Sequence, residues 1–210
     1  GDDCAGRASG AGARVTPHAP THTDVPRHVP PTGVGWMLPF YDTISEAFRI
    51  TRAHDRLLAH AAVMPEHSVL DVGCGTGAMT LRVKQAHPHA SVVGLDPDQP
   101  SLDRARSKAQ ARGLDARFDL GSAGRLPYDD GTFDRVVTAV AIHHLPDDER
   151  QCALTEMLRV LAPSGSLHLM DFGRGDHLAT DLQATGVGRG RLTRGSVLLA
   201  VPVTIIDAFP

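Results

Sequence analysis

Three glycines and two carboxylates stand close together in the first half of this 210-residue chain, and their spacing limits what it can bind. Residues 69–77 read Val69-Leu70-Asp71-Val72-Gly73-Cys74-Gly75-Thr76-Gly77, a β-rich run that breaks into a glycine loop. Glycines at 73, 75 and 77 reach torsions closed to other residues and let a ligand touch the main chain. The pattern is G-x-G-x-G, whereas a dinucleotide fingerprint needs G-x-G-x-x-G, although Ala78 would serve as the third small residue some such loops accept. Asp71 ends the run beside the ligand, where it could hold an ammonium group directly or through water and would repel a pyrophosphate. Asp96 follows 19 residues after Gly77, and a carboxylate at that point accepts hydrogen bonds from ribose hydroxyls. The plainer alternative is that Asp71 caps a turn and Asp96 caps the next helix. A ribose joined to a cationic amino group describes S-adenosylmethionine.

The elements that must position these groups alternate. Residues 68–72 and 91–96 read as strands, as do 117–120 and the strongly apolar run 133–140. Between them lie helical faces: Met79, Val83 and Ala86; then Leu102, Ala105 and Ala109, with Pro97 suited to a helix start and Gly113 to its end. A third helix runs from Asp147-Asp148-Glu149 through Leu154, Met157, Leu158 and Leu161, and Ala162-Pro163-Ser164-Gly165 stops it before a strand at 166–170. Strands alternating with helices imply a parallel sheet covered on both faces, an α/β doubly wound fold. The last 39 residues suggest a helix over 178–185 and strands near 187–192 and 197–205.

Composition narrows the classes. With 41% apolar and 21% charged residues and a net charge of -3, the chain is that of a folded globular protein, and its charge names no nucleic-acid partner. No stretch nears the roughly 18 apolar residues of a membrane span, and no apolar run at the N-terminus suggests a secretion signal, so a cytoplasmic location is expected. Cys4, Cys74 and Cys152 are odd in number, widely spaced and without C-x-x-C, which suits reduced thiols and no metal site. Six of the 21 glycines fall in residues 1–35 with no apolar periodicity, and this segment reads as a flexible arm. Order is expected from residue 36, with lid helices over 36–64, a cofactor-binding core over 65–171 and a C-terminal segment over 172–210.

Five segments in order resemble one family. VLDVGCGTG at 69–77, GLDPD at 94–98, LPYDDGTFD at 126–134, HHLPD at 143–147 and RVLAPSGSLHLMDFG at 159–173 resemble successive motifs of the class I S-adenosylmethionine-dependent methyltransferases. The quinone-methylase-like subgroup, related to the ubiquinone and menaquinone biosynthesis methyltransferases, is the most similar. The resemblance covers about residues 36–173 and implies a Rossmann-like, mostly parallel seven-stranded sheet with helices on both faces. It also implies that Asp71, Gly73, Gly75, Thr76 and Gly77 wrap the methionine part of the cofactor, and that Asp96, with Pro97 after it, meets the ribose. Ser122 and Ala123 fall where relatives carry an Asp-Ala or Asn-Ala pair against the adenine. Serine departs from that acid, which leaves adenine N6 to backbone groups or to Asp119. Ala139 aligns with a position that touches the sulfonium end, and Tyr41-Asp42 resembles the N-terminal Tyr-Asp of a helix that closes over the site.

Methyl transfer from a sulfonium loses charge as it proceeds, so the protein has mainly to align donor and acceptor and exclude water. A base is needed only for a weakly acidic nucleophile. His143 and His144, just past the fourth strand, suit that role, or else shape the loop before the next helix. Tyr41 could orient an acceptor oxygen or pack in the core. The expected activity is methyl transfer to a small-molecule acceptor (EC 2.1.1), without nucleic acid, and with a non-catalytic cofactor-binding or scaffold module as the alternative.

Overall fold

The computed structural model describes residues 50–172, 176–185, 189–198 and 201–209. The arm expected over residues 1–35, the lid residues 36–49 and Tyr41 lie outside the described residues.

Helix α1 (Ile50–Ala61) forms because Ala53, Leu57 and Ala61 recur on one face, and all three are buried. It ends where Ala62 turns to a φ of +44°. There the guanidinium of Arg135 donates from Nε to the Ala61 carbonyl at 2.7 Å, satisfying one of the acceptors a helix end leaves open.

Seven strands follow: β1 (Ser68–Val72), β2 (Ser91–Asp96), β3 (Arg117–Leu120), β4 (Phe133–Ala139), β5 (Leu161–Phe172), β6 (Arg189–Leu198) and β7 (Val201–Phe209). They form one sheet in the order β3-β2-β1-β4-β5-β7-β6. β1 to β5 pair parallel with one another, and β7 runs antiparallel between β5 and β6. The fold is therefore α/β, Rossmann-like and doubly wound. Strand order reverses between β1 and β4, which opens a crevice at their carboxyl ends.

Alternation along the strands sends successive side chains to opposite faces. Val69, Val92, Val137, Met170 and Ile205 pack beneath α1 and Met79 and Val83 of α2 (Ala78–Ala86). Beyond them Phe118 of β3 packs with Leu102, Ala105 and Ala109 of α3 (Gln99–Arg112). On the other face, Leu70, Val136, Leu167, Leu169 and Ile206 meet Leu154 and Met157 of α4 (Asp147–Arg159) and Leu178 and Leu182 of α5 (Asp176–Ala184).

A polar row interrupts the first face. Ser166 Oγ lies 2.7 Å from His168 Nε2, His168 Nδ1 lies 2.8 Å from Asp207 Oδ1, and Asp207 Oδ2 lies 2.8 Å from His60 Nδ1. Ser166, His168 and Asp207 are buried. The row ties α1 to β5 and β7.

Four expectations change. Leu161 opens β5 rather than closing α4: it pairs with Phe133, and a register shift between Phe133 and Arg135 absorbs residues 162–165. Helix α3 starts later than Pro97, because Asp98 is its cap, accepting from Ser101 N–H at 3.0 Å, and Pro100 takes the first turn. β6 and β7 lie a few residues beyond their expected spans, set by pairing of β7 with β5. Cys74 is free and buried, but Cys152 is disulfide-bonded, which corrects the expectation of reduced thiols.

Candidate active site

Each glycine of the loop after β1 has a different task. Gly73 has φ +73°, and a Cβ on it would lie 2.5 Å from Ala141 Cβ, so it lets this loop pack on the segment leaving β4. Gly77 has φ +80°, and its Cβ would meet Ala105 Cβ at 2.9 Å and Phe118 Cε1 at 3.1 Å, so it serves contact with α3 and β3. Gly75, at φ +51°, has nothing within 4 Å of where its Cβ would stand. Of the three, only Gly75 leaves open space beside its backbone.

Two buried carboxylates stand near the carboxyl ends of the adjacent strands β1 and β2. Asp96 ends β2, is buried, and accepts from the Gly75 N–H at 2.7 Å through Oδ2 and from the Asp98 N–H at 2.9 Å through Oδ1. It thereby fixes the height of the loop. Asp71, in β1, is 1% exposed and accepts from Thr80 Oγ1 through Oδ2 at 2.5 Å. Burial pushes its carboxyl up to about 7, hydrogen bonds from the Thr80 side chain and backbone oppose that rise, and the charge of Asp96 adds to it. Gly77 provides no side-chain cap for α2. Asp71 takes over that work from the neighbouring strand, by accepting from the third residue of the helix.

Thr76 is buried, and the Lys108 ammonium of α3 donates to its Oγ1 at 2.9 Å and its carbonyl at 3.3 Å. This pins the loop from the opposite side to Asp96.

On the far side of the crevice the chain leaves β4 at Ala139, and Val140 takes a φ of +59°, a left-handed conformation costly for a β-branched residue. Its N–H donates to the Met170 carbonyl at 2.7 Å. The bend delivers Ala141 against Gly73 and starts a single 3-10 turn, Ile142–His144. Buried Ile142 anchors that turn and His144 is exposed, so both expected histidines follow directly on the crevice in the chain. The His143 side chain lies outside what is described.

After β3, Ser122 closes a small turn: its carbonyl accepts from the Arg125 N–H at 3.2 Å and its Oγ from the Gly124 N–H at 3.3 Å. Ala123 packs beside it on the core. Asp119, the alternative adenine contact, is engaged by Arg117 Nε, 2.9 Å from both oxygens, and by Tyr128 Oη at 2.9 Å. The fold thus gathers Asp71, Gly73, Gly75, Thr76, Gly77 and Asp96 about one loop, with Ala139 across the crevice. Pro97, Ser122 and Ala123 follow the ends of β2 and β3.

Thr80, Gly94, Lys108 and Val140 escaped the sequence reading. Thr80 alone left a trace, as a polar residue among apolar ones on the inner face of α2. Gly94, in register with Asp71, leaves room for it.

Residues 69–165 match the family model described as a methyltransferase domain. Over 104 residues the chain is 45% identical to the demethylmenaquinone methyltransferase of Thermus thermophilus, covering 50% of this chain and 46% of that protein. Over 137 residues it is 39% identical to the protein of the same name from Deinococcus radiodurans, covering 64% and 56%. The chain spans about half the length of the curated relatives it matches. A solved S-adenosylmethionine-dependent methyltransferase from Aquifex aeolicus shares the fold with a TM-score of 0.64 at 20% identity, over 75% of this chain and 89% of that one. The [4+2]-cyclase SpnF shares it with a TM-score of 0.65 at 21% identity, over 75% and 80%. A glycine loop with two buried carboxylates nearby, at the reversal of a doubly wound sheet, stands where such folds bind nucleotide-like ligands. Residues 69–165 thus carry a methyltransferase domain, and the chain is similar to quinone-methylase-like members of the class I S-adenosylmethionine-dependent methyltransferases. S-adenosylmethionine is the cofactor of that class.

Among the described residues no helix is long and apolar enough to cross a membrane.

Proposed function

We propose that this chain transfers the methyl group of S-adenosylmethionine to a small-molecule acceptor by in-line displacement. The observation that carries the reading is the placement of Asp71 and Asp96, both buried, near the ends of the adjacent strands β1 and β2, with the open space at Gly75 in the loop that follows β1. Bound there, the cofactor supplies a methyl group made electrophilic by its sulfonium. Asp96 accepts from the ribose hydroxyls, with Pro97 holding the chain beside it. Asp71 neutralises the methionyl ammonium. Gly73, Gly75, Thr76 and Gly77 wrap the methionine part, with the open side of Gly75 toward it. Ser122 and Ala123 border the adenine and Ala139 the sulfonium end. The chain aligns the reactants and excludes water, which supplies on the order of 7 to 11 kcal/mol of barrier lowering.

His143 or His144 receives the acceptor's proton where the nucleophile is weakly acidic, and Tyr41, within lid helices spanning 36–64, orients the acceptor. The same reading takes residues 36–210 as one domain after an arm, in the cytoplasm, acting on no nucleic acid. The names of the two demethylmenaquinone methyltransferases support a quinone-like acceptor.

Calorimetric titration with S-adenosylmethionine, S-adenosylhomocysteine and NAD tests the assignment. Binding of the first two and not the third is expected, and NAD binding alone would sink it. Asp96→Ala should weaken cofactor binding by about 1.5 to 3 kcal/mol.

A second reading, a non-catalytic cofactor-binding or scaffold module, is favoured by Ser122, whose Oγ accepts from its own turn where relatives present an acid. Cofactor binding without turnover on any quinone, phenol or amine acceptor would support it.

A further inference from the structure

A threonine in the first turn of a helix ordinarily returns its hydroxyl to the carbonyl three or four residues back. Thr80 does not. The carbonyl four residues back, that of Thr76, accepts from Lys108, and the Thr80 hydroxyl points to Asp71, 2.5 Å from its Oδ2. The side chain is fully buried. Its place depends on Gly94: a Cβ there would lie 2.8 Å from Thr80 Oγ1 and 2.9 Å from Cys74 Sγ. Sequence, helix geometry and the missing side chain on β2 therefore converge on one hydrogen bond.

We infer that Thr80 is a positioning residue for cofactor capture, holding the Asp71 carboxylate as the acceptor for the ammonium group of an amino-acid ligand. The inference rests on the S-adenosylmethionine reading above and adds to it the residue that keeps Asp71 fit for use. Among the described residues, the other groups named around it work against the charge or are indifferent to it. Asp96 on β2 repels it, the Cys74 thiol is neutral because burial raises its ionisation far above the usual range, and the residue beside it on β4 is Val137. From α2 the helping groups are the hydroxyl and backbone N–H of Thr80.

The test compares wild type, Thr80→Val and Thr80→Ser in titrations with S-adenosylmethionine and with methylthioadenosine, which has the same nucleoside but no amino-acid part. Wild-type binding of S-adenosylmethionine settles the underlying reading first. Given that binding, Thr80→Val should weaken S-adenosylmethionine about tenfold at pH 7.5 and move the pH at which affinity is half lost upward. Its affinity for methylthioadenosine should stay within about twofold, and Thr80→Ser should restore the wild-type profile. Equal losses for the two ligands would assign Thr80 a merely structural role and overturn the inference. So would an unchanged S-adenosylmethionine affinity in Thr80→Val.

Discussion

His60 Nδ1 and Asp207 Oδ2 lie 2.8 Å apart, joining the helix before the first strand to the last strand of the chain across 147 residues of sequence. The same carboxylate holds His168 at 2.8 Å through its other oxygen. Burial alone would raise the Asp207 carboxyl, but hydrogen bonds from His168 and His60 and their charge bring it below the usual range. A depressed carboxyl contributes stability above its unfolded pKa and loses it as pH falls through the lower folded value, so this clasp fails only in acid. Asp207→Ala should cost about 3 to 5 kcal/mol, because it strands a buried imidazole. His60→Ala, at a side chain 25% exposed, should cost nearer about 1 kcal/mol. Urea denaturation of the two variants measures the ratio; equal losses would refute the ranking.

Asp71 has the opposite sign. Its folded pKa of about 7 lies above the ordinary 3.8, so the stability given by its protonated form is full in acid and is lost as pH rises from about 4 to 7. Asp71→Asn should therefore stabilise the ligand-free protein at pH 8 by roughly 1 to 2 kcal/mol. The gain should shrink below pH 6, and S-adenosylmethionine binding should weaken. Thermal melts at pH 5 and pH 8 check it, and a variant less stable at both would count against this account.

The same carboxyl sets a pH dependence for binding. Affinity for S-adenosylmethionine should rise as Asp71 ionises through about pH 7, then fall once the ligand's amino group deprotonates, near about pH 8. Calorimetry from pH 6 to 9 reads the profile. A flat profile would remove the ammonium from Asp71.

Gly73→Ala should cost roughly 2 to 4 kcal/mol, since the new methyl meets Ala141 and φ stays positive. Gly75→Ala, with open space beside it, should cost less in stability and more in cofactor affinity. Paired melts and titrations separate the two effects.

Thr138, on β4 next to Ala139, buries a hydroxyl with no hydrogen-bond partner, alone in this among the described residues. Thr138→Val keeps the shape and removes the unmet polar group. It should stabilise the protein by about 1 kcal/mol, as read from denaturant midpoints.

The doubly wound order and the loop were legible because period and spacing are local. The run 68–72, the glycines and Asp96 needed no knowledge of distant contacts. What stayed hidden depends on partners far along the chain. Leu161 fits the helical period of α4, yet pairing with Phe133 draws it into β5. The glycine-rich tail has too little periodicity to fix its register, which β5 imposes on β7. Reading three loop glycines as one ligand surface was also too simple, because 73 and 77 answer to protein neighbours. No spacing rule shows that Thr80 would leave its own helix for Asp71.

The contact of Gly73 with Ala141, together with the left-handed Val140 beside it, couples the two walls of the crevice. For anyone altering acceptor choice, positions 73 and 140–141 form a single design variable. A library that diversifies the segment after β4 while leaving the glycine loop alone will mostly recover small residues at 141. New shapes there require compensating room on the cofactor side, so changes in acceptor range and in cofactor grip should be inherited together.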